Sequence, residues 1–467
     1  MPRTKPFQCP FLKISLDNPQ HLPVVGGWLT GTVVLKKPSH ITKIGDVCLT
    51  FSGRTKTKWL KKGADGRIVT YRARNPIFEM QIVLHSYTIS DEDVQSCSWP
   101  FELQIPNPPH PEVTDGDTKP PVPMAEITRP NLPTTYYSWT EWSGWSNTSV
   151  EAFVEYTLRV DLFKSTRHQA NLSLYRSTIP VILRSSSTEK PVENIQLRAR
   201  KRTLFVSSRK LLPEELQVPF AKREKIKRFF TSPSDPRFAF NLRVVFPSIV
   251  QLYHPDPITF QVTLIPELEG PKTTIDTALP LPEVRITTLS LSLQATTRTS
   301  VQGSFDAHFN EKTFSYIMCE NTDLPKTKIL IPTSPSKEPY VNESGFLDLG
   351  EMLSLQLTRR KSKIWGRDGA KFGKPLTPSF ETRNISVSYR FKFNIGIECV
   401  SELANFTNDY LIDPCVVLAP AESQLQTDEL GWMGKEITES MSHLEGISTD
   451  LEVANQACEI AAAILRA

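Results

Sequence analysis

The chain has 467 residues, and its 38 prolines make up about 8% of it against a usual ~5%, which argues against a helical bundle or a coiled coil. The 54 Lys and Arg residues face 50 Asp and Glu, and a net charge of +4 is too small to indicate nucleic-acid binding by itself. Hydrophobic residues amount to 39% of the chain. That fraction can fill large cores, and the length fits two or three domains of roughly 100–200 residues each.

Apolar and polar residues alternate along many segments, which is the pattern of strands with one buried face. In chain order these segments include 12–16, 154–162, 238–246, 258–264, 289–293, 353–357 and 385–399. In the last one every odd position from Ile385 to Cys399 is apolar. It predicts one long strand, or a strand bent at Gly396. Many such strands with turn signals between them predict an all-β fold built from antiparallel β-sandwiches.

The strand-rich segments fall into two regions, 8–183 and 236–420, separated by a polar, basic stretch at 184–235. We therefore predict two consecutive antiparallel β-sandwiches joined by a basic inter-domain linker. Nine prolines between 106 and 133 form a loop within the first region, either a spacer or a ligand for a domain that reads polyproline helices.

The tail at 421–467 differs in charge, with nine acids and two bases. Apolar residues recur at helical spacing from Asp450 to Ala467, which predicts a short amphipathic C-terminal helix. Such a helix would pack on a sandwich, pair with another copy, dock onto a separate partner or fray in solvent.

Residue patterns of catalytic and metal sites are missing from the sequence. It has no phosphate-binding loop, dinucleotide fingerprint or nucleophile elbow, and its eight His residues and seven Cys residues are scattered. We expect no enzymatic activity, no cofactor, no metal and no disulfide framework. The start lacks a signal-peptide core and no apolar run approaches 18 residues, so we expect a cytoplasmic protein with at most peripheral membrane contact.

The basic stretch is the main candidate binding segment, because 198–228 holds eleven bases against three acids. The predicted residues for phosphate or anionic-lipid binding are Arg198, Arg200, Lys201, Arg202, Lys222, Arg223, Lys225, Lys227 and Arg228. Aromatic residues interleave with the later bases, which fits a short helix on an anionic membrane. Capture of phosphorylated tails fits equally well. A solvated linker and a nuclear-import or nucleic-acid patch are the other interpretations.

A second basic run follows the predicted strand at 353–357 and reads as an exposed loop. Its predicted residues are Arg359, Arg360, Lys361 and Lys363, which are either solvated or act together with the first patch. Aromatic residues also cluster before the strand around Phe153, at Tyr136, Tyr137, Trp139, Trp142 and Trp145. We expect them to be buried or to anchor a loop rather than to form a recognition surface.

Motifs in the first region follow one another in a characteristic order. They are the segments 11–19, 31–35, 41–57 with its Ser-Gly-Arg turn at 52–54, 70–76, 84–88, the Trp-Pro-Phe strand at 98–106, 132–136 and 152–158. This order resembles the arrestin-like N-terminal domain of the fungal arrestin-related trafficking adaptors, the alpha-arrestins. The region 236–418 is similar to the arrestin C-terminal sandwich, with weaker motifs.

The resemblance implies two β-sandwiches without a catalytic centre. It also implies an adaptor that binds cytoplasmic tails of membrane proteins and supports their ubiquitin-dependent endocytosis or sorting, at the plasma membrane or endosomes. Many members recruit a HECT-type ubiquitin ligase through P-P-x-Y motifs, and this chain has none, so a ligase partner rests on the resemblance alone. The alternative is a structural subunit of a coat-like or retromer-like complex without ligase coupling.

Overall fold

A computed structural model describes residues 4, 6–19, 22–36, 45–63, 65–86, 96–107, 132–140, 148–163, 173–193, 195–212, 235–268, 271–275, 280–302, 307–320, 329–332, 346–357, 363–365, 376–408 and 414–425. Over these residues the chain forms 21 strands. The helical segments among them are three single turns: a 3₁₀ turn at Arg209–Leu211, α1 at Leu349–Met352 and α2 at Glu422–Leu425. The predicted all-β fold of antiparallel sheets is confirmed.

Two antiparallel sheets make up the first unit. The smaller sheet has the order β1-β2-β5, with β1 at Leu12–Leu16, β2 at Trp28–Lys36 and β5 at Ser96–Gln104. The larger has the order β4-β3-β7-β6, with β3 at Val47–Lys62, β4 at Ile68–His85, β6 at Tyr136–Thr140 and β7 at Thr148–Phe163, and β8 at Ser173–Val181 also pairs with β7. Phe51, Phe78 and Tyr156 pack ring against ring in the core, and the Tyr156 hydroxyl donates to the Pro133 carbonyl at 2.6 Å.

The second unit also contains two sheets. The four-stranded sheet has the order β16-β12-β10-β9, with β9 at Leu197–Ser207, β10 at Arg237–Pro247, β12 at Gln261–Pro266 and β16 at Leu347–Asp348. The nine-stranded sheet has the order β11-β21-β19-β13-β14-β17, with β11 at Ile249–Gln251, β13 at Val284–Gln302, β14 at Ala307–Cys319, β17 at Lys363–Trp365, β19 at Ile385–Cys399 and β21 at Pro414–Leu418. Three short strands complete this sheet. β15 at Ile329–Leu330 pairs with β13, and β18 at Phe380–Glu381 and β20 at Glu402–Thr407 pair with β19.

Aromatic side chains hold these two sheets face to face. Phe246 of β10 contacts Phe391 and Phe393 of β19, with ring centroids 5.7 and 5.9 Å apart. The predicted strand at 385–399 is confirmed with the same bounds, and its odd positions are buried. The register of β13 against β19 shifts beside Gly396, where a side chain would collide with the Thr288 hydroxyl. Of the two predicted alternatives the structure has the single long strand, and Gly396 leaves room for Thr288 where the pairing with β13 is irregular.

Residues 353–357 differ from the sequence prediction, which made them a strand. They follow α1 as an irregular segment, although Leu355 and Leu357 are buried. Asp348 ends β16 and accepts hydrogen bonds from the amides of Gly350 and Glu351, so the chain turns into α1 at this point. The alternating leucines pack in the core here without a partner strand.

The two units meet through a polar junction as well as through apolar contacts. The Thr55 hydroxyl of β3 donates to the Asn384 side chain, whose amide donates to the Thr57 hydroxyl at 3.2 Å. Thr57 in turn donates to the Ser300 carbonyl of β13 at 2.9 Å. Most of the buried apolar residues of both units belong to one continuous cluster, and Trp59, Val150 and Val301 form a second, smaller one, so the units share their interior rather than touching only at the surface.

Candidate binding surfaces

The stretch predicted as a linker contains the edge strand of the second unit. Residues 197–207 form β9, which pairs with β10 along its whole length, from Leu197 opposite Pro247 to Ser207 opposite Arg237. Leu204 and Val206 enter the core. The linker prediction is therefore wrong for 197–207, while 213–234 lie outside the described residues. The sequence conceals the strand because only Leu204 and Val206 show the apolar alternation, whereas bases occupy the preceding even positions 198, 200 and 202.

The connection before β9 is also held in place. The Ser187 hydroxyl donates to the Ala419 carbonyl at 2.6 Å and accepts from the Gln251 amide at 2.8 Å. The Glu422 amide of α2 donates to the Thr188 carbonyl at 2.8 Å. The described part of 184–193 is therefore fastened to the end of the second unit.

Four predicted binding residues, Arg198, Arg200, Lys201 and Arg202, lie on β9. Lys201 and Arg202 are exposed, while Arg198 is half-buried and donates to the Pro414 carbonyl at 3.1 Å. Phe205 exposes 66% of its surface on the same strand. In the described part of the chain, no strand pairs with β9 on the side away from β10, although β20 passes near it. An open basic edge of this kind can add an extended acidic segment through backbone hydrogen bonds.

The other predicted basic residues are only partly placed. Lys222, Arg223, Lys225, Lys227 and Arg228 lie outside the described residues, as do Arg359, Arg360 and Lys361 and the predicted C-terminal helix. Lys363 begins β17 and pairs with Ile317 of β14. Cooperation between the two basic patches thus stays a prediction.

The predicted aromatic cluster is divided. Tyr136 packs on Phe380 at 5.2 Å between ring centroids, and its hydroxyl lies 2.8 Å from that of Thr297, so it anchors the junction between the units. Trp139 remains 46% exposed, against the expectation of burial. Trp142 and Trp145 lie outside the described residues.

A further basic surface, separate from the two predicted basic patches, lies on the hairpin formed by β3 and β4. The charge runs of the sequence do not reveal it. The bases Arg54, Lys56 and Lys58 occupy alternate positions of β3, so they share one face, and the register sets Arg74 opposite Lys56 and Arg72 opposite Lys58. Reading charge with a period of two would have found this surface, because the segment 54–58 alternates bases with threonines.

A buried carboxylate neutralises part of this face. The Glu155 side chain of β7 is fully buried, pairs with Arg54, and lies 2.9 Å from the Lys56 ammonium. Thr4 donates to it from both its amide, at 3.1 Å, and its hydroxyl, at 2.9 Å. Burial alone would raise the pKa of Glu155, but the hydrogen bonds from Lys56 and Thr4 and the charge of Arg54 outweigh it and lower the pKa. The group therefore stays ionised and ties the start of the chain to β3 and β7.

The strongly shifted titratable groups are core side chains. Burial raises the pKa of the Cys399 thiol to about 11 and raises the pKa values of the Tyr156 and Tyr389 hydroxyls well above their usual range. Such groups stay neutral at physiological pH. Across the described ranges, no group of three or more His, Cys, Asp or Glu residues is placed to hold a metal ion. No helix within the same ranges is long and apolar enough to cross a membrane.

No protein-family model matches this chain, and no curated protein matches it either.

Proposed function

We propose that this protein is a non-enzymatic cytoplasmic adaptor that binds the tails of membrane proteins and supports their ubiquitin-dependent endocytosis or sorting. The observation that supports it best is the open, basic edge strand β9 on a unit that shares its core with the first unit. A tail would lie along β9 as an extra strand, with acidic or phosphorylated side chains facing Lys201 and Arg202. A HECT-type ligase and a peripheral place at the plasma membrane or endosomes complete the proposal.

The binding step is tested by fluorescence anisotropy with a labelled, phosphoserine-containing acidic peptide. The double variant Lys201→Glu, Arg202→Glu should bind roughly tenfold more weakly for each charge-assisted hydrogen bond that it removes. The matched control reverses the same charge at Lys13 and Lys36, exposed bases of the smaller sheet in the first unit, and should bind like the wild type.

Strand addition can also be tested through the peptide backbone, because an added strand binds through backbone hydrogen bonds. A peptide that is N-methylated at alternate residues should lose binding while its charge is unchanged. Equal affinity of both peptides, or equal loss in both protein variants, would refute docking on β9. In a native-cell pull-down, ubiquitin-ligase partners support the adaptor role, and stoichiometric coat subunits would support the structural alternative.

A further inference from the structure

The end of the β3–β4 hairpin joins exposed aliphatic side chains to bases. We define the hairpin tip as the described residues between Lys61 and Val69. The register sets Lys62 opposite Ile68 and Lys61 opposite Val69, so each face of the tip carries one lysine beside one aliphatic side chain. Ile68 is 58% exposed and Val69 is 47% exposed.

The tip extends beyond the packed part of the molecule. Trp59 and Tyr71, one step back on the hairpin, contact the His308 ring of β14 with centroids 6.1 and 4.7 Å apart. Trp59 is buried there with Val150 and Val301. Among the described residues, no such contact covers Ile68 or Val69. The apolar tip is therefore not the margin of a core cluster.

The tip holds its shape without a partner. The Gly63 amide donates to the Arg67 carbonyl at 2.8 Å, and the Arg67 amide donates to the Asp65 carboxylate at 3.0 Å. Gly66 takes a φ of +80°, which suits glycine in a tight turn. Two aliphatic side chains and three bases are thus presented at the end of a preformed turn.

The charge behind the tip has the same sign. Between 47 and 85 the hairpin has eight bases and two acids, a net charge of +6. Glu155 offsets one of the two positive charges of Arg54 and Lys56, and Asp65 makes only an exposed 3.5 Å ion pair with Arg67. Lys61, Lys62, Arg72 and Arg74 form no ion pair with an acid of the described chain. Their positive charge would attract an anionic partner.

We propose that the hairpin tip docks on an anionic lipid membrane, with Ile68 and Val69 entering the boundary of the acyl chains and Lys61, Lys62 and Arg67 lying among the headgroups. Apolar side chains on both faces of a narrow turn suit a surface into which the tip can sink, whereas a phosphorylated peptide would need a groove with converging donors. The proposal extends the proposed function, because membrane contact would hold the adaptor where tails emerge.

The test is sedimentation of the full chain with phosphatidylcholine vesicles, with and without phosphatidylserine. We expect binding only with phosphatidylserine, and weaker binding as salt rises. The variant Lys61→Glu, Lys62→Glu, Arg67→Glu should partition at least a hundredfold more weakly, since each base near the surface contributes about fivefold. The control Lys13→Glu, Lys36→Glu, Lys190→Glu makes the same change in net charge at exposed bases elsewhere and should still bind.

The apolar side chains are tested apart from the charges. Ile68→Asn with Val69→Asn leaves the net charge unchanged and should weaken partitioning about tenfold, because less aliphatic area is buried in the membrane. Both tip variants should melt at the wild-type temperature, because the substituted residues are exposed. If the asparagine variant binds vesicles like the wild type while a free phosphoserine peptide binds the tip, the ligand is a phosphorylated peptide and the membrane proposal is wrong.

Loss of binding in the net-charge control would equally overturn it, since the attraction would then be general. These vesicles contain no protein, so a negative result leaves peptide binding along β9 untouched. Conversely, failure of that peptide to bind leaves the vesicle result intact.

Discussion

Glu155 is a fully buried carboxylate whose two cationic partners are only partly buried. Arg54 exposes 21% and Lys56 exposes 29% of its side chain. Burial lowers the pKa of Lys56 against the attraction of Glu155, and the neighbouring charges of Arg54 and Arg74 add to that effect. The Glu155 carboxylate thus has two cationic partners. One is the permanently charged Arg54 guanidinium, and the other is the Lys56 ammonium, which lies close to the positive charges of Arg54 and Arg74.

We predict that Glu155→Gln lowers the free energy of unfolding by about 3 kcal/mol at neutral pH, because it leaves two cations without their buried counter-charge. The folded pKa of Glu155 lies below its unfolded value of about 4.3, so its stabilisation is complete above that pH and disappears as pH falls through the folded pKa. Urea unfolding from pH 7 to pH 3 should show the wild type and the variant converging in acid.

The matched control is Glu79→Gln on β4, which lies on the other side of β3 from β7 in the same sheet. Its carboxylate is 64% exposed and lies 4.0 Å from Arg159, so the change should cost less than about 0.5 kcal/mol. If both variants lose the same stability at pH 7, the buried network has no special weight.

At the scale of elements, β9 is the first strand of the second unit along the chain. Val206 lies in the core and is 4% exposed, while its neighbour Phe205 is 66% exposed. We predict that Val206→Asp destabilises the protein by about 3 kcal/mol or more, because a charge would be buried without a partner. Phe205→Asp should change the stability by less than about 0.5 kcal/mol, as surface substitutions do. Chemical denaturation measures both, and two equally mild variants would mean that 197–207 is a linker after all.

Some strands can be predicted from their sequences better than others, and the difference depends on the position of each strand in its sheet. β19 could be predicted to the residue because it runs through the middle of a sheet, where every odd position must be apolar. β9 lies at an edge, where the long Arg198 side chain leaves the core side and reaches the Pro414 carbonyl, so a base can occupy an inward position. β7 shows the opposite case. Its alternating sequence predicts one solvated face, but the polar residues Glu155 and Asp161 on that face are buried.

The candidate surfaces follow the same logic. Arg198 to Arg202 stand out in the sequence as a charge run, but their place on an edge strand depends on pairing with β10, which begins some thirty residues later in the chain. The hairpin tip is not evident in the sequence, because Lys61 and Lys62 meet Val69 and Ile68 only across the turn.

At the scale of the whole molecule, the junction around Asn384 joins two units that already share a core. Asn384 is 4% exposed and hydrogen-bonds to Thr55 and Thr57, which lie more than 300 residues earlier in the chain. Buried polar groups that satisfy one another specify a single arrangement, because any other would leave them unpaired. We therefore expect calorimetry to record one unfolding transition for both units.

Asn384→Ala should lower the free energy of unfolding by about 1–3 kcal/mol, since the Thr55 hydroxyl loses its short hydrogen bond to the Asn384 side chain and the Thr57 hydroxyl loses the donor amide. A double-mutant cycle with Thr55→Val should give a coupling energy of about 0.5 kcal/mol or more, because the valine has no hydroxyl left to strand. The control cycle pairs Asn384→Ala with Thr203→Ala, whose hydroxyl bonds to Asn241 in the four-stranded sheet, and should be additive. Additivity in the first cycle as well would mean that the two units meet without the polar junction stabilising their contact.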